Sequence, residues 1–94
     1  MAFGAVPAGT SSGPITSSIQ VKNTSGILLG ILISSGTAGT IKAWDSLTAT
    51  GTVLFDTTAA ITPTAPVYVP VNMAFGTGLF LTIGGTISCV AVYA

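Results

Sequence analysis

In 94 residues the chain carries two lysines and two aspartates, with no Arg, Glu or His, so its formal net charge is zero. Charged residues make up 4% and hydrophobic residues 49%, against about 25% charged in an ordinary soluble domain. This excludes a phosphate-binding surface, since two cations neutralise too few phosphates. It also excludes a zinc or calcium cage, which needs His, Cys or several carboxylates, and a disordered chain, which needs charge and few apolar groups.

In chain order, residues 1–14 are rich in Gly, Ala, Ser and Pro and read as an extended N-terminal arm, with Phe3 and Val6 as its large apolar groups. Residues 15–94 read as one β domain. In Ile15–Lys22 the second half alternates, Ile19 and Val21 opposing Gln20 and Lys22. Asn23–Gly26 is a turn. Ile27–Ser34 is a continuous apolar run, as in a central strand covered on both faces, and Gly30 within it predicts a bulge or a close approach by another backbone. At seven residues, Ile27–Ile33 is far short of the ~20 needed to span a bilayer as a helix. The N-terminus has no basic region and no long apolar stretch, so it does not read as a secretory signal.

Ser35–Gly39 predicts another turn. Thr40–Ser46 alternates, with Ile41, Ala43 and Asp45 on one face and Lys42, Trp44 and Ser46 on the other. Leu47–Gly51 is a loop leading to a strand over Thr52–Thr58, with Val53 and Phe55 on one face, and the two strands form a hairpin. Residues 59–66 break regular structure. Val67–Val71 is a short strand that Pro70 confines to an edge or a strand end, followed by a loop over Asn72–Gly78. Leu79–Gly85 and Thr86–Ala94 predict a final hairpin turning at Gly84–Gly85. About seven short strands and no helix indicate an all-β fold: a single small antiparallel β-sandwich of jelly-roll type.

No residue pattern supports catalysis. Asp45 and Asp56 are the only carboxylates; Asp45 stands near a strand end, where Asp caps turns. Cys89 has no His to act as its base and reads as a small packed hydrophobe. Unable to pair within the chain, it fits assembly in a reducing cytoplasm. Ser and Thr are plentiful but lack an activating group. Asn23-Thr24-Ser25 matches a glycosylation sequon and reads as a turn. No cofactor is expected. Trp44 stands out: it can lie in the core, anchor a subunit interface or stack a sugar ring.

Ile41–Phe55 has the form IKxWDxxxATGTxxF, Met73–Thr86 the form xAFGTGLFxTIGGT, and Ser88–Tyr93 a terminal strand ending at a Tyr. With these motifs the stretch Gly26–Ala94, about three quarters of the chain, resembles a group of small tailed-bacteriophage virion proteins. The resemblance implies a virion structural protein, such as a capsid decoration or cement protein, often trimeric with an arm laid on the capsid. The expected partners are copies of the chain and the major capsid protein, with no nucleic acid and no membrane. The expected location is the capsid surface, after assembly in the host cytoplasm, and Phe3, Val6 and Trp44 are the candidate interface residues. The alternative is a tail-fibre or baseplate module that binds host glycans through Trp44.

Overall fold

The computed structural model describes residues 9–62 and 66–94. Among them there is no helix. Six strands, β1 (Thr10–Ser11), β2 (Ile19–Lys22), β3 (Gly26–Asp45), β4 (Thr52–Asp56), β5 (Val67–Phe75) and β6 (Leu79–Tyr93), form one antiparallel sheet. The all-β, antiparallel expectation holds. The two separately hydrogen-bonded sheets of a jelly roll are not formed, and the reason lies in β3 and β6.

These two strands are 20 and 15 residues long and pair from Leu28–Tyr93 to Asp45–Leu79. A straight strand of that greater length would span roughly 65 Å, yet the longest dimension of the molecule is 40 Å. The ribbon therefore bends. Its two ends meet: Lys22, paired with Leu79 at one end, donates from Nζ to the Ala94 carbonyl at the other, 3.3 Å away. The bend falls where Gly36 and Gly39 of β3 face Ile87 and Gly85 of β6, with register shifts at Ile33–Ser35 and Gly36–Ala38.

The expected turns at Ser35–Gly39 and Gly84–Gly85 are thus corrected: both strands bend there but continue unbroken. A Gly-Gly pair between alternating runs looks like a hairpin turn, but here glycine serves close backbone packing. Gly85 has φ 74°, and a Cβ on it would strike the Ala38 carbonyl oxygen; one on Gly39 would strike that of Gly84.

Each half of the ribbon gains two flanking strands. Beside Leu28–Ile33 and Cys89–Tyr93 lie β5, on β3, and β1, on β6. Beside Ile41–Asp45 and Leu79–Ile83 lie β4 and β2. Folding one half over the other buries Leu28, Ile31, Ile33, Ile41, Ala43, Leu79, Leu81, Ile87, Cys89 and Ala91 in one core, closed at the shared end by Phe75.

Local expectations fare unevenly. Gly30 does sit at a bulge, between Leu28 and the Pro70 register, but what approaches it is the Tyr68 ring rather than a backbone. Pro70 lies in β5, an edge strand as expected. The strand at β5 continues through the expected loop to Phe75, leaving only residues 76–78 as the turn. The β3–β4 hairpin forms, but a bulge between Ala43 and Trp44 sets Phe55 opposite Ala43 and Val53 opposite Trp44. Val53 and Phe55 therefore face opposite ways. At the N-terminus, Thr10 and Ser11 pair with β6 and Ile15 bridges Cys89. The last part of the expected arm is a strand of the sheet.

Candidate functional site

Phe3 and Val6 lie outside the described residues. The third candidate, Trp44, is placed by alternation along β3: Ile41 and Ala43 turn into the core, so Lys42 and Trp44 project from the outer face of the β4–β3–β6–β2 half. Cross-strand pairing brings Phe80 and Val53 beside Trp44, and Asp56 and Thr82 beside Lys42. The core reading of Trp44 is thereby corrected: the indole is only half-buried and belongs to the surface.

The cluster is tied together laterally. Trp44 Nε1 donates to Thr82 Oγ1 at 2.9 Å. The Lys42 ammonium sits 4.6 Å from the indole centroid and 3.7 Å from Asp56 Oδ2. Lys42 thus caps one face of the ring by cation–π attraction, while Asp56 compensates its charge. At the exposed end of β4, Asp56 Oδ1 also accepts the Thr58 N–H at 2.8 Å, holding Thr58 at φ 61°. This is local turn chemistry.

Asp45 is engaged elsewhere. Its two oxygens accept the N–H groups of Thr77 and Gly76, at 2.9 and 3.1 Å, so it clamps the turn between β5 and β6. These amide bonds, Thr77 first, hold its pKa below the ordinary 3.8. Each carboxylate is committed to its own turn or ion pair. Cys89 is fully buried in the core, and desolvation pushes its pKa up to about 11. No cluster of potential metal ligands exists among the described residues.

Two surfaces were not foreseen. One is a groove of about 250 Å³ beside the segment that links β1 to β2, its lining including Ser11, Ser12, Ile15, Thr16, Ser17 and Tyr93. The other is the outer face of the β5–β3–β6–β1 half. Register sets Leu32 beside Tyr68 and Val90, and Gly30 beside Val92. None of these, nor Leu29, belongs to the core or packs against it. The unbroken apolar run Ile27–Ile33 was the signal. It supplies two faces, and one of them faces outward.

Searches of protein-family models, curated proteins and solved structures find no match to this chain.

Proposed function

We propose that this chain is a non-enzymatic structural protein that works through its sheet faces, and that its setting is a virion, where it decorates and stabilises the major capsid shell as a homo-oligomer, a trimer in the favoured form. The observation that carries the structural role is the outer surface. Large hydrophobics stand exposed on it, among them Ile19, Ile27, Val67, Tyr68 and Met73, at 43–50% of their full accessibility. The charges that ordinarily keep such a surface apart from other proteins are missing. Contact with other protein surfaces resolves both facts, and repeated display lets weak contacts add up. The setting on a capsid rests on the resemblance of Ile41–Phe55 and Met73–Thr86 to virion proteins.

The glycan-binding alternative asks Trp44 for a free ring face. Lys42 covers one face and Thr82 engages the indole N–H, which leaves the decoration reading better supported. Quantifying the chain in purified particles tests it: a copy number comparable to the shell protein is expected, and a few copies per particle would exclude the role. A glycan array with the assembled protein addresses the alternative, with no binding expected.

A further inference from the structure

We infer that copies of the chain meet through the edge strand β5, with Ile27, Val67, Tyr68 and Met73 of each copy gathered near the symmetry axis of the assembly. The inference rests on the homo-oligomeric part of the proposed function and names the surface that part uses.

The exposed apolar side chains are not spread evenly. Of the seven large hydrophobics that stand exposed among the described residues, Val67, Tyr68 and Met73 lie on β5, and Ile27 lies beside it, opposite Ala74. At 43–48% of full accessibility, these four together expose roughly 350 Å², already the size of patch that marks a contact site. Pro70, also exposed, and the half-buried Leu32 widen it. A standard interface takes about 800 Å² from each partner, so the patch is the apolar centre of such an interface rather than the whole of it.

Charge selects both the strand and its occupant. Among the described residues the sheet has four edge strands, β1, β2, β4 and β5. β2 carries Lys22, β4 carries Asp56, and β1 is only Thr10 and Ser11. β5, nine residues long, has no charged residue. Near a symmetry axis each side chain meets its own counterpart, so a charge there would face a like charge. An uncharged strand avoids that repulsion, and zero net charge leaves little to hold copies apart. The patch also offers no charge by which a different protein would be selected, and interfaces between identical copies are the more apolar class.

The backbone of β5 decides how the copies touch. Pro70 has no N–H to donate, and Asn72, beside the register shift, takes φ 54°. Both interrupt the regular ladder that a further strand would need. Contact therefore runs through side chains, which suits a closed assembly of few copies rather than a sheet extended from copy to copy.

The experiment uses the full chain in solution. By sedimentation, the parent chain is expected to be an oligomer at micromolar concentration. Met73→Glu is expected to weaken association at least about tenfold, since it removes a buried apolar contact and desolvates a charge. Val53→Glu, on the β4 edge, is expected to leave association unchanged. A second variant, Ile27→Cys, does not depend on how well a charge is tolerated. Cys89 is buried, so an aromatic disulfide reagent sees only the new thiol in the folded chain. That thiol is expected to be protected where the oligomer predominates and to react quickly after dilution to monomer. An oligomer in which it reacts equally fast at both concentrations would leave the patch to a different partner. That result overturns the inference while the homo-oligomeric reading stands. A parent chain that sediments as a monomer throughout would overturn both.

Discussion

Cys89 and Asp45 show how two side chains of modest chemistry acquire fixed roles from their surroundings. The Cys89 thiol has no accessible surface and no base, and its neutral form is favoured by burial. It should not react with an aromatic disulfide reagent at pH 8 while the chain is folded and should react fully in denaturant. Because its folded pKa is raised from 9.0 to about 11, the unfolded chain ionises first. Stability is therefore whole below pH 9.0 and falls as pH rises from there toward about 11. Asp45 has the opposite sign. Its pKa is depressed by the Thr77 and Gly76 amides, so its contribution is present above the ordinary 3.8 and is lost as pH falls through the lower folded value. Asp45→Asn should lower Tm at pH 7, and the gap from the parent chain should close as the pH is taken below 3.8. A gap that stays constant to pH 2 would show that charge is not what the turn uses.

At the scale of elements, the glycine-lined bend is the most sensitive part of the ribbon. Gly85→Ala adds a Cβ at φ 74° against the Ala38 carbonyl, and the left-handed conformation alone costs about 1–2 kcal/mol for a non-glycine residue. The urea midpoint should fall by more than that amount implies. Gly76→Ala, where nothing lies within 4 Å of the added carbon, should leave the midpoint nearly unchanged and serves as the control. In the core, Leu28 has no accessible surface, so Leu28→Ala should cost roughly 2–5 kcal/mol. The same bend marks the limit of what the sequence discloses. Alternation placed Ile41, Ala43, Lys42 and Trp44 on their correct faces, because period two is a local property of a strand. Ser35–Gly39 and Gly84–Gly85 carry turn composition, yet both lie within the β3–β6 ladder, where Gly39 faces Gly85, and only knowledge of that pairing distinguishes a bend from a turn. Phe55 and Val53 were misassigned because a one-residue bulge, invisible to periodicity, reverses every side chain beyond it. Phe80 and Thr82 escaped notice beside Trp44 because Leu79–Gly85 was expected to pair with Thr86–Ala94 in a hairpin, whereas it pairs with the end of β3.

For the molecule as a whole, the near absence of charge sets the response to solvent. The described residues hold one ion pair, Lys42–Asp56, with both side chains about a third exposed, and such pairs contribute about 0–1 kcal/mol. Tm should accordingly change by no more than a few degrees between about 20 and 500 mM NaCl, a range over which screening abolishes most surface electrostatics. A large salt dependence would point to charges acting in an assembly rather than in the fold. A solution with zero net charge also lacks the repulsion that keeps copies apart, so a closed oligomer should be visible by sedimentation at micromolar concentration. A monodisperse monomer there would count against the oligomeric reading.

The pairing of β3 with β6 has a kinetic side. Ser12 is bonded to Ala91 across 79 residues, and the Leu28–Ile33 stretch finds its interior neighbour only in Cys89–Tyr93. Contacts this distant along the chain slow folding, placing it on the order of milliseconds to seconds. During synthesis the most apolar segment leaves the ribosome long before its partner exists. A chain stopped at Gly85 would contain all of β3 but present Ile27–Ile33 with one flank bare, in a sequence with almost no charge to discourage association. Such fragments should precipitate where the full chain does not, so the cell must either finish the last strand promptly or shield the first long one while it waits.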